Sequence, residues 1–144
     1  WHSIRKWDWA TGDTADVQNS SNFNDQIYLR LADTYLLLAE AQFRLNDLAG
    51  AAATINIIRA RANATPITAA QVTLDFILDE RSRELISEEH RRYTLLRTRT
   101  WFNRTLANNK YAGTRITLRD TLLPIPQSVI DANLTKVMPQ NAGY

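Results

Sequence analysis

Three glutamates, Glu80, Glu84 and Glu88, recur at every fourth position, so a helix carrying them stacks their carboxylates along one side. A pair of carboxylates on one face is what glycoside hydrolysis needs, one acting as acid and the other as base or nucleophile. The same stretch also holds Arg81, Arg83, Arg91 and Arg92. A carboxylate held by a guanidinium is a structural ion, and such networks perturb acids as strongly as active sites do. Pairing is therefore the reading taken here, and no catalytic residue is assigned. Glu88-Glu89-His90 places three metal-binding types side by side, but one histidine without a spaced partner is a weak ligand set and His2 is far away in sequence, so no metal site is assigned. A Ser/His/Asp triad has no nucleophile-elbow motif to start from. The absence of cysteine excludes disulfides, thiolate metal centres and thiol catalysis. No cofactor is assigned. Trp1, Trp7 and Trp9 remain: three flat aromatic faces within nine residues suit sugar rings as well as a protein interior. Packing is the preferred reading because tryptophan is ordinarily well buried, and the three are kept as candidate ligand-binding residues.

These groups must be held by a chain of 144 residues, a length that suits one compact domain. Charged residues make up 22% and the net charge is +2, so a pI of 9.2 reflects a slight arginine excess and not the footprint of a nucleic-acid binder. The longest apolar run, Tyr35 to Ala39, is far too short to span a bilayer, and no signal-like segment follows Trp1. The missing initiator methionine suggests a processed or truncated chain.

Residues 1–26 are polar, turn-rich and Trp-dense, and are read as irregular, with room for one short strand. Helical spacing begins near Asp25 and runs to Leu45, with Leu31, Tyr35, Leu38, Ala39, Gln42 and Leu45 on the expected inner face. Asp47 then caps a second helix whose Ala51, Ile55, Ile58 and Ala62 share a side. The two make an αα-hairpin, and Ala39, Ala41, Ala51 and Ala52 allow close approach. Thr68-Ala69-Ala70-Gln71 has the form of a capping box and predicts a brief helical turn. From Leu74 to Arg97 there is neither glycine nor proline, which allows one helix roughly 36 Å long. In that helix Leu74, Ile77, Leu78, Leu85, Leu95 and Leu96 form the core stripe, and Arg81, Glu88 and Arg92 fall in the same sector. Charges aimed inward must be paired, so a semi-buried ion network is expected. Arg59 and Arg61 on the second hairpin helix are expected to supply cations for Glu80, Glu84 and Glu88. Trp101-Phe102 extends the helical pattern to about Asn108, Ile116 to Leu118 reads as a short strand, Leu122 to Pro126 is extended, and Ser128 caps a short turn through Asp131.

Tyr35-x2-Leu38-Ala39 followed by Leu48-x2-Ala51-x3-Ile55 fits much of the tetratricopeptide helix pair, although Gln42 stands where that pattern usually has an aromatic and no second repeat of equal quality follows. Four ordered stretches carry a more specific likeness. These are Leu38-Ala39-Glu40-Ala41, Ile55 to Ala62, Ile77 to Leu85 with its continuation through Glu88-Glu89-His90-Arg91 to Leu95-Leu96-Arg97, and Leu122 to Gln127 followed by Gln140-Asn141-Ala142-Gly143-Tyr144. Together they resemble the SusD/RagB family of nutrient-binding outer-membrane lipoproteins of Bacteroidetes, over about residues 27–144. Glu89, Thr94 and Ala142 depart from the family's usual Gly, Asp and Pro at those places.

The resemblance implies a mainly α fold: a tetratricopeptide-like hairpin, a long charged helix and an extended irregular C-terminal tail. It implies residues 27–144 as one helical unit near the C-terminal end of a longer protein, behind an irregular segment 1–26. It also implies the function, which is capture of a glycan or other nutrient at the cell surface, without chemistry, and delivery to a TonB-dependent transporter of the SusC type. An N-terminal lipid anchor absent from this chain would hold such a protein at the outer membrane. The alternatives are a tetratricopeptide-like adaptor for protein partners and, more distantly, a carboxylate hydrolase. Arg59, Arg61, Glu80, Arg81, Glu84 and Glu88 are read as an internal structural ion network.

Overall fold

A computed structural model describes residues 27–144, and the expectations for residues 1–26, including Trp1, Trp7 and Trp9, lie outside the described residues. The chain divides into two compact units, one closing at Glu89 and the other running from His90 to Tyr144. The described residues are mainly helical.

The first unit is built on α1 (Leu31–Arg44), α2 (Leu48–Arg61) and α3 (Leu74–Glu84). Helices α1 and α2 form the expected hairpin. Helix α1 ends in a Schellman motif: Asn46 turns left-handed (φ 61°), while the N–H groups of Asn46 and Asp47 reach back to the carbonyls of Phe43 and Gln42. Asp47 then caps α2, its carboxylate accepting from the Gly50 N–H at 2.9 Å. Asn63 (φ 52°) ends α2 in the same way, with Asn63 and Ala64 donating to Ala60 and Arg59. Asparagine tolerates this conformation, which places both turns in the sequence itself.

Ala39, Ala51, Ala52, Ile55, Ile67, Val72 and Ile77 make the main core cluster, with Phe43, Leu48 and Phe76 packed against it. Leu36, Ile58 and Leu85 form a second cluster with Ala32 and Tyr35. The inner face of α1 differs from the expected one: Leu36, Ala39 and Glu40 are buried, whereas Leu31, Leu38, Ala41 and Leu45 are exposed. Leu36-Leu37-Leu38 allows two apolar registers one step apart, and docking against α2 and α3 selects the one through Leu36. Gln42 is also explained, because its side-chain carbonyl accepts from the buried Thr54 hydroxyl across the hairpin at 2.8 Å.

The loop from α2 to α3 is pinned by one side chain. Asn56 donates to the Ile67 carbonyl (2.9 Å) and accepts from the Ile67 N–H (2.8 Å), closing a two-bond clamp over a backbone with no helix or strand to satisfy it. A 3-10 turn, Ala69–Gln71, follows with the capping box expected at Thr68 and Gln71, and Thr73 caps α3 through the Phe76 N–H.

Instead of continuing to Arg97, the charged helix α3 ends at Glu84, and α4 (Arg91–Arg97) and α5 (Trp101–Asn108) follow as separate helices. At the break the N–H groups of Glu88 and Glu89 both point to the Leu85 carbonyl, and Ser87 turns left-handed (φ 63°). A non-glycine residue there costs about 1 kcal/mol. No glycine or proline announces the break; its compensation lies in the ion pairs that Glu88 and Glu89 make.

In the second unit α4 ends in another Schellman motif, with Arg99 left-handed (φ 58°) and the N–H groups of Arg99 and Thr100 bonded to Leu96 and Leu95. A 3-10 turn (Leu118–Thr121) stands where a strand was expected from Ile116, because Thr117 and Asp120 form a capping box. Helix α6 (Gln127–Asp131) starts two residues earlier than a cap at Ser128 would set, with Pro126 as its N-cap.

Candidate functional site

The chemistry-bearing side chains of the first unit converge on α3. Glu80 receives Arg59 from α2 at 2.8 Å and Arg83 from its own helix at 2.7 Å. Glu84 receives Arg61 from α2 at 2.7 Å and Arg30, the residue preceding α1, at 2.5 Å. Arg30 also reaches Glu88 at 2.5 Å and donates to the Glu84 carbonyl, so one guanidinium ties the end of α3 to the turn behind it. Arg81 binds Glu89 at 2.7 Å and Asp33 on α1. Each acid of the ladder thus faces a cation, which removes the like-charge repulsion of their spacing.

The pairs differ in weight. Arg61 and Arg83 are mostly exposed, so their bridges are screened and contribute on the order of 0.5 kcal/mol each. Arg59 and Glu80 are both largely covered, and Arg59 also donates to the Thr65 carbonyl, binding the end of α2 to the segment behind it. Two guanidinium groups lie over Phe76, Arg59 at 5.7 Å and Arg83 at 5.5 Å from the ring centre. Burial alone would lower the Arg30 pKa, but its hydrogen bonds and charge contacts to Glu88 and Glu84 outweigh this and raise it. This cation therefore stays charged at any ordinary pH.

Arg81 is the most enclosed cation among the described residues. Its Nε and Nη2 are paired, while Nη1 is buried without an acceptor among the described residues. Glu40, on the inner face of α1, is buried and accepts from Arg44 one turn on, at 2.9 Å.

The expected cations Arg59 and Arg61 thus lie beside Glu80 and Glu84. Arg30 and Asp33 were missed, because a helix assumed to start near Asp25 hides the fact that Arg30 sits on extended backbone at the entry to α1. Arg81 is turned to Asp33 and Glu89 instead of to the ladder. Arg92 stands in the second unit, 4.4 Å from the Trp101 ring centre and bonded to the Asp120 carbonyl. No cluster of three or more His, Asp or Glu able to hold a metal occurs among the described residues. No described helix is long and apolar enough to cross a membrane.

The tail of the second unit works by backbone clamping. Gln140 accepts from the Ile125 N–H and donates to the Ile125 carbonyl, both at 2.8 Å. Asn141 donates to Leu123 (2.7 Å) and the Tyr144 hydroxyl to Leu122 (3.1 Å). The two prolines leave Leu122 to Pro126 extended and without helix bonds, and the last five residues supply the partners. Arg119 lies over Tyr144 at 4.7 Å, and Gly143 (φ 91°) lies so close to it that an added Cβ would fall 2.8 Å from the Arg119 side chain.

A helical hairpin, a charged helix held by buried ion pairs and a tail folded onto a proline-bounded segment together define a scaffold class. The chain matches the SusD family over residues 1–144 and belongs to it. The SusD-like protein P25 of Formosa agariphila is 45% identical over 91 residues, which cover 57% of this chain and 17% of that protein. The chain thus spans about a sixth of that relative's length. No solved structure matches it.

Proposed function

We propose that this chain is the C-terminal helical part, residues 27–144 behind an irregular segment 1–26, of a cell-surface lipoprotein. The whole protein binds an oligosaccharide or other nutrient and passes it to a SusC-like TonB-dependent transporter in the outer membrane, without acting on it. Family membership over the whole chain carries the reading. The pairing of Glu80 and Glu84 with arginines supports a bracing role for Arg59, Arg61, Glu80, Arg81, Glu84 and Glu88, since a general acid needs a carboxyl that can carry a proton. Trp1, Trp7 and Trp9 stay candidate ligand contacts. The test is made on the complete lipoprotein, purified from its own outer membrane. Co-purification of a TonB-dependent transporter and calorimetric glycan binding without product formation are the expected outcomes. Release of reducing sugar that is lost in Glu84→Gln would overturn the non-catalytic role.

A second reading, a tetratricopeptide-like adaptor for protein partners, is favoured by one observation. Leu31, Leu38 and Leu45 are exposed at seven-residue intervals along one side of α1. Loss of a co-purifying protein other than the transporter in Leu38→Glu would support it.

A further inference from the structure

The net charge of +2 conceals a strong segregation. Residues 90–144 hold nine Lys or Arg against Asp120 and Asp131, a net of +7, while residues 1–89 carry a net of −5. In the first unit Asp33, Glu40, Glu80, Glu84, Glu88 and Glu89 are ion-paired with arginines, whereas the second unit has two acids against nine cations. Arg92 and Arg119 are engaged, the first with Trp101 and Asp120 and the second with Tyr144 and Gly143. Lys110 and Arg115 differ: both are exposed, and both belong to the loop that follows α5.

This loop has a fixed backbone. The Asn109 side-chain carbonyl accepts from the N–H groups of Tyr111 (3.0 Å) and Ala112 (2.9 Å), the Asn109 backbone carbonyl accepts from Gly113 (2.8 Å), and Ala112 accepts from Arg115 and Ile116. Gly113 is buried so tightly against the end of α5 that a Cβ there would lie 2.6 Å from the Asn109 carbonyl and 2.8 Å from that of Leu106. Tyr111, which directly follows Lys110 and precedes Arg115 by four residues, is 81% exposed. Ordered backbone that carries an exposed aromatic ring and two exposed cations within one loop limits the ordering cost of binding.

We propose that Lys110, Tyr111 and Arg115 form a contact site for an acidic polysaccharide, the two cations taking carboxylate or sulfate groups and the tyrosine ring stacking on a sugar face. The inference rests on the nutrient-binding reading and narrows its substrate class to anionic glycans. An acidic peptide or an anionic lipid surface would use the cations but has no sugar face for Tyr111.

The complete lipoprotein is titrated calorimetrically with a short oligogalacturonate, a neutral malto-oligosaccharide of equal length, polyglutamate, and phosphatidylglycerol vesicles. The expected result is binding of the oligogalacturonate at least about tenfold tighter than any other probe, weakening as salt is raised. Lys110→Gln with Arg115→Gln should weaken it about tenfold, Tyr111→Ala should weaken it severalfold, and Lys110→Arg with Arg115→Lys should keep it. All these side chains are exposed, and an unchanged circular-dichroism melt checks that the variants fold. Equal or tighter binding of the neutral sugar would overturn the site and leave the nutrient-binding reading standing. Binding of no sugar at all would overturn the site and count against that reading too. Polyglutamate or vesicles binding as tightly as the oligogalacturonate, with Tyr111→Ala indifferent, would assign the cations to a peptide or a membrane and overturn the proposal.

Discussion

Removing the Arg81 side chain is the sharpest test of the ion network as a brace. The Arg81 side chain is 4% exposed, and its partners Glu89 and Asp33 are 7% and 19% exposed. Arg81→Ala leaves two carboxylates facing each other in a covered site, and breaking a buried pair in this way costs about 3–5 kcal/mol. Two features place the effect toward the lower end. Asp33 keeps some water, and the wild type already carries a buried Nη1 with no acceptor among the described residues, a penalty on the order of 1–3 kcal/mol that the substitution removes. The expected loss is about 3 kcal/mol, or about 10 °C in Tm for a chain of this size. It is measured by urea unfolding followed by circular dichroism at 222 nm, with the slope against urea unchanged. Arg81→Lys should recover only part, because an ammonium cannot serve Glu89 and Asp33 with the geometry of a planar fork. The triple change Asp33→Asn, Arg81→Met, Glu89→Gln should recover most of the stability, since it removes the charges together. A loss under about 1 kcal/mol for Arg81→Ala would refute the reasoning, as the pair would then be behaving like a surface bridge.

Three further expectations follow from the same geometry. Asn56→Ala strips both partners from Ile67 and should cost about 2 kcal/mol in the same unfolding assay, with amide exchange at Ile67 accelerating first; unchanged exchange there would show that the clamp is dispensable. Asp120 has its pKa lowered from 3.8, chiefly by the hydrogen bond from the Thr117 backbone N–H, against an opposing effect of desolvation and with help from the Thr117 hydroxyl and Arg119. A group whose folded pKa is depressed stabilises fully above its unfolded value and loses that contribution as pH falls through the folded one, so the Thr117 amide resonance should titrate with a midpoint below 3.8, and a midpoint at or above that value would contradict the capping box. Arg99→Gly relieves a left-handed arginine and should raise stability by up to about 1 kcal/mol, whereas an equal loss would mean that the arginine side chain holds α4 in place.

Much of this architecture is local and was legible. Asp47 as a cap, the Thr68/Gln71 capping box, the asparagine turns at Asn46 and Asn63 and the mainly α hairpin all follow from residues within a few positions of one another. The demand that the acids of α3 find cations was equally plain, because spacing alone puts Glu80 and Glu84 on one side, and Arg59 and Arg61 stand on the neighbouring helix. Tertiary structure decided what periodicity leaves degenerate. A run of three leucines allows two inner faces for α1, and the choice of Leu36 over Leu38 depends on how α2 and α3 pack against it. The end of the charged helix at Glu84 carries no glycine or proline signal; it depends on Arg30, 58 positions from Glu88, and on Arg81 holding Glu88 and Glu89 strongly enough to offset a left-handed Ser87. The clamps of Asn56 on Ile67 and of Gln140 on Ile125 likewise join residues 11 and 15 positions apart. Local rules name the capping residues and require that charges be paired, but which backbone a side-chain amide reaches is set by where the folded chain brings that backbone.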